Sequence, residues 1–241
     1  MFQTDAMEYQ SDSTLPLIII PAFNEAKTIA SVILDIRERY QYPVLVVNDL
    51  SIDDTALVAR DAGAIVLNLR VQLGAWGATQ TGVRYALRKG YTGVLTLDAD
   101  GQHEPEYIVG MLEQLGDGND IVIGAYIERC SKARHLARLY FKLLTGLQIE
   151  DVTSGFRAYN FRAMQIIASA QATLLDYQDI GVLLLCRRGG LQILELQTPM
   201  NLRRSGHSRV FSSWWVVMRY MLQTSILCFS QIGLRKTVQV R

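Results

Sequence analysis

Apolar residues in this chain come in short unbroken runs. Residues 15–20 read LPLIII, 43–48 PVLVVN, 64–69 AIVLNL, 93–97 GVLTL and 120–124 DIVIG. Runs of this length with no polar alternation suit strands covered on both faces, as in a parallel sheet. Between them the stretches 25–40, 53–62, 75–89 and 105–115 carry the amphipathic spacing of helices. Strand and helix in regular succession predict an α/β fold, a mostly parallel, doubly wound sheet with flanking helices. After residue 125 the alternation loosens into predicted helical segments, followed by a last strand-like run, LQILELQTP, at 191–199. No linker or repeat interrupts this pattern. We therefore expect a loose polar tail over residues 1–14, one domain over 15–211, and a C-terminal apolar, amphipathic helix over 212–241.

Ligands of open parallel sheets bind outside the carboxyl ends of the strands, so the residues that follow each run bear on function. The first run passes into PAFNEA, with Asn24 and Glu25; the second ends at Asn48 and Asp49; the fourth leads into LDADGQHEP, with Asp98, Asp100, Gln102 and His103. One acid at a turn is ordinary solvated punctuation. Several at successive strand ends predict a shared crevice, and like charges brought together call for a cation. Asp98 and Asp100 stand two positions apart, which in extended backbone sends both side chains to one side. Paired carboxylates with the Gln102 amide oxygen are hard donors suited to Mg²⁺ or Mn²⁺, ions that keep waters and take further ligands from phosphate. His103 fits a supporting or surface position better than a ligand position in such an oxygen-rich site. Asp53 and Asp54 are placed to cap or charge the second helix.

Composition removes several alternatives. In 241 residues, 24 basic side chains against 23 acidic ones leave a net charge of +1, so no overall field favours nucleic acid. Cys130, Cys186 and Cys228 form no CxxC or Cys/His pattern, which argues against a zinc site or a disulfide framework and fits a reducing cytosolic setting. The polar start lacks the basic and apolar regions of a signal peptide. Gly74, Gly77 and Gly82 fall outside any GxGxxG turn after the first strand, which disfavours a dinucleotide-dependent dehydrogenase.

Taken in order, IIIPAFNEAKTIASVI, VVND with Ser51 and Asp54, LGAWGATQTGVRYAL, LDADGQHEP and DVTSGFRAY resemble the family 2 glycosyltransferases of GT-A fold, and within them the dolichyl- or polyprenyl-phosphate sugar transferases. The resemblance spans residues 15–211. It implies inverting, metal-dependent transfer of a sugar from a nucleotide-diphosphate donor. By this likeness Pro21, Ala22, Phe23 and Glu25 match the first nucleotide-contacting loop, and Asp49 the acid facing the nucleoside. Asp98–Ala99–Asp100 matches the DxD motif, with Asp98 on the sugar or ribose side, Asp100 on the metal and Gln102 completing the coordination. RRSGHSR at 203–209 resembles a basic segment that closes over donor phosphates, so Arg203 and Arg209 match its two cations, and Arg203 joins Asp98 and Asp100 in the catalytic set. Three departures stand out: Asn48 and Leu50 replace the usual Asp and Gly, Tyr126 replaces an Arg expected near an acceptor phosphate, and Gly181 replaces an acid.

The implied acceptor is a polyprenyl phosphate, with Arg129, Arg134, Ser154 and Asp179 as candidate contacts. A hydroxyl acceptor is the competing expectation, with Asp179 as base; a non-catalytic nucleotide-sugar-binding module is a third. Residues 210–234 are long enough to cross a bilayer, yet Arg219, Gln223 and Gln231 interrupt them, and Trp214, Trp215 and Tyr220 suit an interface. An amphipathic helix at the cytoplasmic face of a membrane, or packed on the domain, a second copy or a membrane-protein partner, is the expectation.

Overall fold

The computed structural model describes residues 15–126, 149–152, 154–175 and 180–200. The predicted tail, the C-terminal helix and the candidate residues Arg129, Arg134, Asp179, Arg203 and Arg209 lie outside these.

Seven strands form one sheet: β1 (Leu17–Ala22), β2 (Val44–Asn48), β3 (Ile65–Asn68), β4 (Gly93–Thr96), β5 (Ile121–Ala125), β6 (Arg157–Asn160) and β7 (Ile193–Gln197), in the order β3-β2-β1-β4-β6-β5-β7. The helices are α1 (Ile29–Arg39), α2 (Thr55–Asp61), α3 (Gly74–Arg88), α4 (Tyr107–Gly116), α5 (Phe161–Ile167), α6 (Ala170–Thr173) and α7 (Ile180–Arg188). Pairing is parallel for β1 with β2 and β4, for β2 with β3, and for β5 with β7.

The apolar runs are unbroken because the sheet is covered twice. Leu17 and Ile19 of β1 join one core with Trp76, Ala78, Val83 and Ala86 of α3, Met164 of α5 and Leu183 of α7. Ile18 and Ile20 join the other with Ile29, Ile33 and Ile36 of α1, Ala59 of α2 and Met111 of α4. Gly82 sets the close approach of α3 to the sheet: a Cβ there would lie 2.6 Å from Ile19 Cγ2.

The five predicted strands before residue 125 and the four helices between them are present. The loosened region holds a strand that the apolar pattern does not announce. β6 runs antiparallel between β4 and β5, pairing Arg157 with Thr96 and with Ile123. Its four residues, RAYN, are too few and too polar for either periodic template, and Asn160 ends it by capping α5, its Oδ1 accepting from Ala163 N at 3.0 Å. β6 carries the segment 149–156 back across the end of β4.

Candidate functional site

The loops after β1 and β2 are laced together. Asn24 N donates to Ser51 Oγ at 2.9 Å and Ile52 N donates to Asn24 Oδ1 at 2.9 Å. Glu25 N donates to Thr55 Oγ1 at 2.8 Å, and Ala26 N to Asp53 Oδ2 at 3.2 Å. The Glu25 carboxylate turns along its own helix, accepting from Thr28 Oγ1 at 3.1 Å. Asp53, rather than the N-cap residue Asp54, serves the start of α2, accepting from Thr55 N at 3.1 Å and from the Thr55 hydroxyl. Partial burial acts to raise the Asp53 carboxyl, but the hydrogen bonds from Thr55 and Ala26 outweigh it and hold the group below its ordinary value.

Two residues here have left-handed backbone, Asn24 with φ 56° and Leu50 with φ 61°. Asparagine tolerates this region; leucine is strained in it. The turn after Asp49 is thus one that glycine would satisfy without cost, which gives physical content to the departure at Leu50. Asn48 is accommodated by a polar neighbour, its Nδ2 donating to Asn68 Oδ1 at 2.9 Å.

Asp49 is only 3% exposed, and both of its oxygens are engaged. Oδ1 accepts from Leu73 N at 2.7 Å and Oδ2 from Gly74 N at 2.8 Å, so this carboxylate anchors the N-terminus of α3. Asp49 is thus engaged by backbone amides, and among the described residues no group of three or more His, Cys, Asp or Glu side chains is arranged to hold a metal. The acids divide into two sets.

The second set sits past β4. The strand ends at Thr96, so Asp98 and Asp100 lie in a turn and strand alternation does not govern them. Their environments differ as a result: the Asp98 side chain is 48% exposed, whereas Asp100 is 6% exposed. Gly101 takes φ 74°, reversing the chain so that Gln102 N donates back to Asp100 Oδ1 at 3.1 Å. Asp98 Oδ2 lies 3.4 Å from His103 Nε2. On its other side Gly155 packs so closely that a Cβ would fall 2.5 Å from Asp98 Oδ1. The glycine of DVTSGFRAY therefore leaves room for the first acid of DxD in this position.

The segment holding Gly155 is fixed by groups that motif reading did not single out. Arg157, fully buried, donates from Nε to Ser154 O at 2.9 Å and from Nη2 to Val152 O at 2.6 Å. The Glu195 oxygens accept from Glu150 N and Asp151 N, each at 2.7 Å. Burial lifts the Glu195 carboxyl above its ordinary value, against the pull of those two N–H groups. Arg157 was within a quoted motif, but only its burial reveals the stapling role; Glu195 gave no signal beyond being an acid inside a strand. Ser154 is buried beside Gly155, and its Oγ accepts from Phe156 N at 3.2 Å.

Two carboxylates and an amide in one tight turn fit a hard divalent ion that draws its remaining ligands from phosphate and water. The carboxyl edge of the sheet thus carries hydrogen-bonded loops after β1 and β2 and an acid-bearing turn after β4, at the edge where open parallel sheets take their ligands.

Known proteins share this plan. Residues 17–168 match the model of glycosyl transferase family 2. The polyprenol monophosphomannose synthase of Mycolicibacterium smegmatis is 26% identical over 215 residues, 82% of this chain and 81% of that protein. The undecaprenyl-phosphate mannosyltransferase of Micrococcus luteus is 32% identical over 167 residues, 63% of this chain and 68% of that one. Among solved structures, glucosyl-3-phosphoglycerate synthase from Mycobacterium tuberculosis, in complex with Mn²⁺, uridine diphosphate and phosphoglyceric acid, superposes with a TM-score of 0.68 at 21% identity, covering 90% of this chain and 77% of that one. That likeness establishes a shared fold. With the family match extending over most of the chain and the strand-end motifs in their places, this chain belongs to glycosyl transferase family 2.

Proposed function

We propose that the protein moves a sugar from a nucleotide-diphosphate sugar to a polyprenyl phosphate, with inversion at the anomeric carbon, at a membrane surface. The observation that carries this reading is the packing of Gly155 on Asp98, which brings the donor-binding turn against the Ser154–Gly155 segment. The names of the relatives from Mycolicibacterium and Micrococcus support the lipid acceptor.

Asp100 and Asp98, with the Gln102 amide oxygen, are the residues that would hold Mg²⁺ or Mn²⁺. Such an ion supplies charge neutralisation for the departing nucleoside diphosphate. Pro21, Ala22, Phe23 and Glu25 form the loop offered to the nucleoside, and Asp49 holds the α3 end of that wall. Arg203 and Arg209 are the cations assigned to the diphosphate, since a guanidinium fork matches phosphate oxygens. An oxygen of the acceptor phosphate attacks the anomeric carbon as the bond from that carbon to the diphosphate oxygen breaks, and the electron pair leaves with the nucleoside diphosphate. A phosphate oxygen ionised at neutral pH has no proton to surrender, so positioning replaces a general base. Ser154, Arg129 and Arg134 are the residues we assign to that positioning.

Among the described residues no helix is long and apolar enough to cross a membrane. The apolar residues 210–234 are the proposed surface contact with a cytoplasmic leaflet.

The test is incubation with radiolabelled GDP-mannose, UDP-glucose and UDP-N-acetylglucosamine, with undecaprenyl or dolichyl phosphate and Mn²⁺. A labelled, chloroform-extractable product from at least one donor is expected. Transfer only to water-soluble hydroxyl acceptors, abolished by Asp179→Asn, would replace the lipid acceptor with a saccharide-type one.

A further inference from the structure

We propose that His103 is a positioning residue that holds the Asp98 carboxylate and ties the DxD turn to the chain just ahead of the Arg203 segment. The proposal rests on the transferase reading above and gives a specific contact to a residue that the sequence placed only as supporting or at the surface. The His103 side chain is 3% exposed, yet its Nε2 reaches the half-exposed Asp98 Oδ2 at 3.4 Å. Its ring packs on the buried Phe156, with centroids 5.0 Å apart and planes tilted by 30°. Its backbone forms an isolated antiparallel bridge with Met200, beyond the end of β7. Met200 stands three residues before Arg203 in the sequence.

Packing alone does not explain an imidazole at this place. Nδ1 is buried without a hydrogen-bond partner among the described residues. A phenyl ring would fill the same space against Phe156 and strand no polar atom. The polar ring is accounted for by Nε2. Because the Asp98 carboxylate only accepts, the contact requires the proton on Nε2, leaving a lone pair on the orphaned Nδ1, and that is a smaller loss than an unpaired N–H. Gly155 closes the Oδ1 side. The Asp98 carboxylate thus lies between the imidazole, which meets Oδ2, and Gly155, where even a methyl would crowd both oxygens. A 3.4 Å contact has room to shorten when a charged donor loads the turn.

Two arms test this with the full chain. The first needs no substrate. The chain has three histidines, so a long-range ¹H–¹⁵N correlation spectrum, assigned with His103→Gln, reads the His103 tautomer directly. The Nε2–H form is expected; an Nδ1–H form overturns the proposal whether or not any donor is turned over. The second arm compares His103→Gln, whose amide nitrogen reaches the level of Nε2, with His103→Asn, whose amide stops at the level of Nδ1, using the donor found active above. Turnover within about threefold of wild type is expected for His103→Gln and a loss of about tenfold for His103→Asn, the range typical of supporting contacts to a metal-site ligand. Equal activity of the two overturns the proposal. In an Asp98→Asn background the His103→Asn loss should shrink to under about twofold, because the two changes act on one contact. Full multiplication of the two losses marks a merely structural histidine and also overturns it. A wild type inactive with every donor defeats the transferase reading alone, and the tautomer still decides this one.

Discussion

Asp49 and Asp100 each follow a parallel strand, and each is almost fully buried, at 3% and 6% exposure. Asp49 spends both oxygens on the Leu73 and Gly74 amides and so belongs to the scaffold of its loop. Asp100 accepts from the amide of Gln102, two residues along its own turn, and shares that turn with the half-exposed Asp98. The wall at β1 and β2 is held by hydrogen bonds between loops, whereas the β4 turn closes on itself through Gln102 N and lies against Gly155 and His103. The difference teaches that buried carboxylates after neighbouring strands can be spent in different ways, one holding the N-terminus of a helix 24 residues away and the other closing its own turn.

Five substitutions sharpen or break that contrast, in falling order of effect. Asp100→Asn should lower turnover by about 100-fold or more, the scale seen when a charge-stabilising group is lost, with an unchanged melting temperature. Gly155→Ala places a methyl 2.5 Å from Asp98 Oδ1. Because Asp98 can move into solvent, it should cost about tenfold in kcat/KM and little stability. Asp49→Ala does the reverse: urea unfolding should show a loss of about 1 kcal/mol from two uncapped amides. If Asp49→Ala instead melts like wild type, the scaffold role is wrong. Leu50→Gly relieves the positive φ, a gain of about 0.5 kcal/mol after the greater chain entropy of glycine is subtracted.

Glu195→Gln gives the smallest effect, and its sign is fixed by the raised carboxyl. The folded state holds that proton more tightly than the unfolded chain. Native stability therefore falls as pH rises from the ordinary glutamate value to the raised one, and is lower above that window than below it. Unfolding curves for Glu195→Gln should lack this decline.

The sheet up to residue 125 was legible because burial on both faces leaves β1, β2, β4 and β5 as almost wholly apolar runs, with their few polar residues at the strand ends. β6 was hidden because its core contribution comes from Ala158 and Tyr159 alone, with Arg157 buried by carbonyl contacts that only tertiary structure supplies. In the site, the polar turn carrying Asp98, Asp100 and Gln102 could be read from residue type at the end of an apolar run, whereas the two-residue spacing misled because β4 ends at Thr96. The separate role of Asp49 could not, since its partners at Leu73 and Gly74 lie 24 and 25 residues away. Nor could the fit of Gly155 to Asp98, which joins two motifs far apart in sequence.

The central claim is that the β4 turn, and not the β2 wall, grips the metal and diphosphate. Thermal shift with UDP, GDP or dTDP, with and without Mn²⁺, reads it most directly in wild type, Asp100→Asn and Asp49→Asn. The account predicts that at least one nucleotide stabilises the wild type only when Mn²⁺ is present, that Asp100→Asn abolishes this gain, and that Asp49→Asn keeps it on a lower baseline. Stabilisation that survives chelation of the metal, or that persists in Asp100→Asn and vanishes in Asp49→Asn, would contradict it.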